Sequence, residues 1–301
     1  MENIVKPEEI GGLKIGGSPQ GTIMEKNDHQ GQMELALRLQ GQPLPKTRES
    51  KAIMAFGTKR EPEIVDEARP FYPRGIETPK VGFEHPEYDF LVAHVDGIAE
   101  DTIIEAKYSR YGFSEVPEYY KLQVNFYCGM LSKSKWHLVM LDGGGMYHHF
   151  YGEFDQALYN EQIKKSVEFW EEYGPHSDKL PKACHRESSS KCLKMLHPTD
   201  NGESLEKLNE INKLVIDLEP IKSQKKALEK DISAKENRIK QLIGDASEAE
   251  TDLGFISYKK TKDGVKWKTL SKVELSEDEK AKFLEKKEGY RVLRYPRNYA
   301  K

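Results

Sequence analysis

Apolar positions in this chain change their spacing several times, and each change marks a new element. Before residue 50 they are sparse among Gly, Gln and Lys, with two islands. Leu13 to Ser18 reads as a turn entering a helix, and Met33 to Leu39 is a stretch of good helix formers. Pro43 and Pro45 break the polar segment Gln40 to Arg48. Residues 50–70 read as a helix carried by Ala52 to Phe56 and Ile64–Val65, weakened locally at Gly57 and Pro62. Across 81–107 the apolar runs shorten to strand length, Phe90 to Ala93 and Thr102 to Ile104, with Asp96-Gly97 near the turn between them. Helical spacing returns over Glu115 to Leu131, with Tyr119, Leu122, Phe126 and Met130 on one side and Pro117 suited to the first turn. Trp136 to Leu141 and Met146 to Phe150 read as strands joined at Gly143-Gly144-Gly145. Phe154 to Tyr173 then reads as an amphipathic helix using Leu158, Ile163, Val167 and Trp170. This order predicts an α/β (α+β) core over residues 1–178, a mixed and mainly antiparallel sheet flanked by helices.

Beyond residue 175 the pattern changes. Pro175, Pro181 and Pro198 mark a loop-rich connector, set at 179–202. Residues 203–243 carry Leu and Ile at three- and four-residue intervals with Lys and Glu between. They read as a helical hairpin or coiled coil interrupted at Pro220. Phe255 to Lys260 and Val265 to Leu270 alternate and flank Lys262-Asp263-Gly264, a hairpin signal. An acidic helix over Ser276 to Lys287 and a last strand at Tyr290 to Tyr295 complete an appendage, coiled-coil-like and then β-hairpin, at 203–301.

Composition adds bounds. The chain has 301 residues, room for one large domain or two average ones. Its 47 basic and 50 acidic residues leave a net charge of −3, so any contact with nucleic acid must use local patches. Three cysteines, Cys128, Cys184 and Cys192, are too few for a disulfide framework and suit a reducing compartment. There is neither a signal-peptide layout at the N-terminus nor an apolar run of membrane-spanning length. The expectation is a soluble cytoplasmic protein with no membrane partner, in the host cytoplasm if a phage encodes it.

The chemistry concentrates at Asp96 and Glu105-Ala106-Lys107. Residues two apart on a strand share a face, so Glu105 and Lys107 point the same way while Ala106 points into the core. Asp96 can reach the same spot. Two carboxylates suit a hard cation such as Mg²⁺, which keeps several waters, with Mn²⁺ as a substitute and the Ala106 carbonyl as a third oxygen. Lys107 is placed to hold a water and offset charge building on a phosphorane. The same residues also occur on ordinary solvated sheet faces, but Ile103-Ile104 brings Glu105 out of a buried strand.

These residues resemble the PD-(D/E)XK nuclease signature, and the wider pattern resembles its YqaJ-type viral recombinase branch, the lambda exonuclease type. Four further pieces match in order across about residues 10 to 150: Ile15-Gly16-Gly17-Ser18, Gly57-Thr58-Lys59-Arg60-Glu61, Phe90 through Asp96-Gly97, and Leu122-Gln123-Val124-Asn125. The resemblance implies a restriction-endonuclease-like core and a Mg²⁺-dependent 5′→3′ exonuclease acting on double-stranded DNA ends in phage recombination or repair. It further implies an annealing protein as partner and a homo-oligomer such as a trimer. It assigns metal binding to Asp96 and Glu105, a further carboxylate to Glu61, orientation of Lys107 or a phosphate to Gln123, and a phosphate grip to Ser18. Val95 stands in place of the family proline, and Asn125 in place of a second glutamine. Where lambda-type members put an arginine before the Ser turn, this chain offers only Lys14 and Lys6.

Other readings stay open. The enzyme alternative is an endonuclease for branched or single-stranded DNA, and the non-enzyme alternative is a protein that grips DNA or a recombinase without cutting. Glu63 competes with Glu61. Cys184, His185, Cys192 and His197 fit no common zinc spacing, and His148-His149 suit structural roles. His94 shares a strand face with Asp96. Lys266 and Trp267, in a run with Lys259, Lys260, Lys262 and Lys268, suit phosphates and a stacked base, or equally a solvated sheet edge.

Overall fold

Pairing around one strand organises the first part of the chain. The computed structural model describes residues 13–204, 206 and 208–261, and the backbone of short strands at 4–5, 264–267, 284–287 and 291–294. Two compact units result, Met1–Asn201 and Gly202–Lys301. The first runs through β1 (Ile4–Val5), α1 (Gln20–Ile23), α2 (Gln32–Leu39), α3 (Arg48–Ala68), β2 (Gly82–Glu84), β3 (Val92–Ala93), β4 (Gly97–Ala99) and β5 (Thr102–Ser109). It continues through α4 (Glu118–Met130), β6 (Lys135–Asp142), β7 (Tyr147–Glu153), α5 (Gln156–Tyr173) and α6 (Glu187–Leu196).

The main sheet has the order β4-β5-β6-β7. Its outer pairs are antiparallel, while β5 and β6 run parallel from Thr102↔Lys135 to Ser109↔Asp142. Helix α4 supplies the crossover that a parallel pair requires. Both faces of β5 are covered, which is why its apolar residues run together instead of alternating. Ile103 packs with Leu138, Met140 and Phe126 of α4. Ile104 and Ala106 pack on the other face with Val139 and with Ile64, Val65 and Ala68 of α3. The architecture is the mixed α/β sheet flanked by helices that the sequence predicts. A second sheet, β1-β2-β3, is wholly antiparallel.

Several expectations change. Helix α3 continues through Pro62, with Thr47 at its N-cap accepting from the Ser50 N–H at 3.1 Å. Asp96-Gly97 is not the turn: Gly97 opens β4, and the reversal falls at Glu100-Asp101, where Glu100 has φ +51°. The most buried side chains of α5 are Gln162, Ser166 and Phe169, not Leu158 and Val167. A polar network explains the difference. Gln20 Nε2 donates to Ser166 Oγ at 3.0 Å, Gln162 Nε2 donates to the Leu122 carbonyl at 2.8 Å, and Asn125 Nδ2 donates to Gln162 Oε1 at 3.0 Å. Buried polar groups are tolerated when they satisfy one another. Residues 179–202 contain α6, whose Cys192 packs with Met33 and Leu37 of α2.

The second unit holds α7 (Asn209–Ile243), β8 (Glu248–Thr251), β9 (Gly254–Lys260), β10 (Gly264–Trp267), β11 (Leu284–Lys287) and β12 (Arg291–Arg294). α7 is one 35-residue helix, not a helical hairpin, and Pro220 does not divide it. The lost hydrogen bond at Pro220 is one among many along a long ladder. A β-hairpin is present, but between β8 and β9, turning at Asp252-Leu253 and re-entering the sheet at Gly254 with φ +111°. β9 also pairs with β12, and β10 pairs with β11, so 255–260 and 265–270 are not hairpin partners. Of the helix expected over 276–287, residues 284–287 are a strand and the others lie outside the described residues.

Candidate active site

The site forms where β5 outruns its neighbour. β4 pairs with β5 only from Gly97↔Ile104 to Ala99↔Thr102, so the edge of β5 beyond Ile104 is not covered by β4. The Ala106 N–H points to that edge and donates to Asp96 Oδ2 at 2.7 Å. In a strand the N–H and C=O of one residue face the same side, so the Ala106 carbonyl shares the edge with Asp96. Gly97 permits this tight approach. A Cβ there would lie 2.7 Å from Ile76 Cγ2 and 3.1 Å from Ile104 Cβ.

Glu105 and Lys107 project together toward α4, as their spacing predicts. Glu105 is 2% exposed. Its Oε1 accepts from Gln123 Nε2 at 2.6 Å and from the Lys107 ammonium, while Oε2 is buried with no hydrogen-bond partner. Burial first, and then the Asp96 charge, push the Glu105 carboxyl up to about 8 against the pull of Lys107. Burial works to lower Lys107, but Glu105 and Asp96 outweigh it and hold the ammonium above its usual range. The ammonium lies 5.1 Å from the centre of the Tyr120 ring, a cation–π contact.

Glu61 comes from α3 on the other side of the edge. It shares a hydrogen bond with Asp96, and burial followed by the Asp96 charge raises it to about 7. Asp96 is also raised, by burial, with Lys107 opposing. Three carboxyls thus crowd one lysine and titrate high, as like charges drawn together out of water must. Among the described residues, no three His, Cys, Asp or Glu side chains converge as a ready-made ion cage. The donor set instead fits a hard cation that keeps waters of its own. Asp96, Glu105 with its unpartnered Oε2, the Ala106 carbonyl and Glu61 would hold it.

The remaining candidates sit as follows. Gly17 lies against Tyr127, whose ring a Cβ would meet at 2.4 Å. The Tyr127 hydroxyl takes the second hydrogen bond from Gln123 Nε2, at 3.2 Å, and also bonds the exposed Ser18. The Gly-Ser turn is thereby connected to Glu105 through Tyr127 and Gln123. Lys14 is ion-paired with Glu84, and Lys6 lies outside the described residues. Glu63 faces solvent, bonded to Arg60 at 2.5 Å and to the Tyr147 hydroxyl at 2.8 Å, away from Asp96. Burial lowers His94. His148 bonds Asp142 at 2.9 Å, and His149 bonds His137 at 2.9 Å. Asn125 belongs to the polar network and also takes the Asp155 N–H at 2.8 Å. Lys266 and Trp267 lie in β10, in the second unit. Tyr120 and Tyr127 were not expected at the site. Tyr127 follows Gln123 by four residues on α4, a helical spacing that carries the signal.

Comparison with known proteins gives one family match, one related sequence and two similar structures. Residues 9–130 match the profile of the YqaJ-like viral recombinase domain. The chain is 28% identical over 254 residues to the uncharacterized protein YqaJ of Bacillus subtilis (strain 168), covering 80% of this chain and 77% of that one. Among solved structures it is similar to an alkaline exonuclease, LHK-Exo, from Laribacter hongkongensis. The identity is 19% and the TM-score 0.43, over 55% of this chain and 91% of that one. A phage-related exonuclease from Haemophilus somnus 129PT is similar at 13% identity and TM-score 0.40, over 55% of this chain and 95% of that one.

Proposed function

We propose, from the match of residues 9–130 to the YqaJ-like viral recombinase domain and from the geometry of the site, that the chain is a divalent-cation-dependent deoxyribonuclease that degrades double-stranded DNA from its ends. The single observation that carries this reading is the Glu105 carboxylate, buried, with one oxygen fixed by Gln123 and Lys107 and the other unpartnered. A buried acceptor without a partner costs free energy unless something positive fills its place. An ordinary sheet face would not keep such a group beside Asp96 and Lys107.

A bound Mg²⁺, or Mn²⁺ in its place, would polarise the scissile phosphate and make water a better nucleophile. The protein's own groups do the positioning. Asp96 is aimed by the Ala106 N–H, and Glu105 by Gln123. Lys107 stays protonated beside Glu105 and Asp96, so it serves as a point charge that holds the attacking water and offsets the charge growing on phosphorus. Glu61 supplies a further carboxylate, which the proton shared with Asp96 occupies when no cation is bound. Ser18, on the exposed turn that Tyr127 anchors, is placed to receive a DNA phosphate. Lys14 is engaged by Glu84 and has to exchange that partner before it can hold a 5′-phosphate.

The substrate reading is duplex DNA, trimmed 5′→3′ so that a single strand passes to an annealing protein during phage-type recombination, the active form being a homo-oligomer. Digestion of linear duplex labelled at one 5′ or one 3′ end tests it, beside covalently closed circles, with Mg²⁺, Mn²⁺ or chelator. Early release of the 5′ label, intact circles and no reaction under chelator are expected. Cut circles convert the proposal to an endonuclease. Inertness of the wild type with both cations leaves a DNA-gripping protein.

A further inference from the structure

Helix α7 displays a seam of apolar side chains that are exposed among the described residues. Counting from Ile211 in alternating steps of three and four residues, the positions reach Leu242 with Ile or Leu at every step except Lys225 and Lys235. This is the heptad pattern of a coiled coil. The seam is exposed: Leu214 is 62% accessible, Ile221 60%, Leu228 62% and Leu242 69%. At 35 residues the helix is about 52 Å long, and an apolar stripe of that length rimmed by charge marks an interaction surface. Pro220 lies two positions past the seam residue Leu218 and off the stripe, where its missing N–H does not interrupt the packing surface.

We propose that a second copy of this chain covers the seam, with the two α7 helices antiparallel and in full overlap, Ile211 of one against Leu242 of the other. Charge selects this arrangement. In a parallel pair Lys225 would face Lys225 and Lys235 would face Lys235 across the seam, and Asp231 would flank Glu236 of the second copy, against one favourable rim contact, Asp217 with Lys222. Turning one helix round replaces every one of these contacts. Lys225 then lies opposite Leu228, Lys235 opposite Leu218, and Ile232 opposite Ile221. At the rim, Asp217 meets Arg238 of the second copy and Lys222 meets its Glu229, each pair occurring twice by the two-fold axis. Lys225 already reaches outward, its ammonium 3.7 Å from Glu229, so its stem can cover a leucine while its charge stays at the rim. Lysines within a seam lower its stability but fix its orientation, which is their service here. The inference does not depend on the nuclease reading.

Molar mass by light scattering on the full chain, across a concentration series, is the first measurement, with circular dichroism to show that each variant keeps its helix. The wild type is expected to associate in pairs. Ile221→Asp, which sets a charge in the seam, is expected to weaken that association by about tenfold or more, the scale of an unpaired charge in an interface. Asp217→Arg alone and Arg238→Asp alone should each weaken it, and the double variant D217R/R238D should regain it, because only the antiparallel pairing brings 217 against 238. A wild type that stays monomeric overturns the proposal, and the seam then belongs to another partner. An association constant left unchanged by Ile221→Asp overturns it as well, since the α7 seam then takes no part in holding the copies together. A double variant no better than the singles refutes the antiparallel arrangement.

Discussion

Lys107 holds its charge because two carboxylates outweigh its burial, so its removal tests charge more than packing. Lys107→Ala is expected to lower cleavage by about 10²–10³-fold, the scale of losing one preorganised charge at a developing anion, while duplex binding is largely kept. Gel digestion and fluorescence anisotropy on the same DNA measure the two quantities, and a parallel loss of both would make Lys107 a DNA-binding residue. The carboxyls make a second prediction. Glu61 and Glu105 titrate near 7 and 8 when folded, above the ordinary 4.5. The folded state then binds more protons than the unfolded one between those values. Their protonated forms stabilise the fold fully below about pH 4.5, and that contribution is lost as pH rises through 7 to 8. Under chelator the melting temperature should fall across this window. With Mg²⁺ the fall should flatten, because the cation replaces the protons and tightens its binding as they leave. Equal slopes with and without the cation would remove these carboxylates from the metal site.

At the scale of elements, local rules read most of the first unit and misread places where long-range packing decides. Strand β5 was legible because Thr102 to Ile104 is a dense apolar run, and the shared face of Glu105 and Lys107 follows from strand geometry alone. Asp96-Gly97 carries the composition of a turn, yet Gly97 is glycine to admit Ile76 and Ile104, a reason found 21 residues upstream and seven downstream. The polar stripe of α5 was likewise hidden, since Gln162 and Ser166 are buried only because Gln20 and Asn125 meet them there. The β9 partner assignment failed because Lys262-Asp263-Gly264 looks like a hairpin turn, whereas the β8–β9 hairpin turns at Asp252-Leu253, just before Gly254. Pro220 was expected to interrupt the helical segment, and instead it lies within one continuous helix. Proline inside a helix is about 3 kcal/mol less favourable than alanine. Pro220→Ala should therefore raise the midpoint of α7 melting with little change in helical content at low temperature. An unchanged midpoint would mean that the local cost is already relieved.

At the scale of the molecule, every residue of the candidate site lies within Met1–Asn201, and the α7 seam lies within Gly202–Lys301. No helix among the described residues is long and apolar enough to cross a membrane. Cleavage and self-pairing should thus be separable. A chain ending at Asn201 is expected to fold and to retain cation-dependent cleavage while losing pairing through α7. Loss of all activity with a native circular dichroism spectrum would tie the tail to catalysis.

The Gln20–Ser166–Gln162–Asn125 network has a practical consequence for anyone building hybrids from distant relatives. Exchanging α5 alone would strand amide groups in a dry interior, each left without its mate from α1 or α4. Functional grafts should emerge only when the three helices travel as a set, however similar the hydrophobic residues around them.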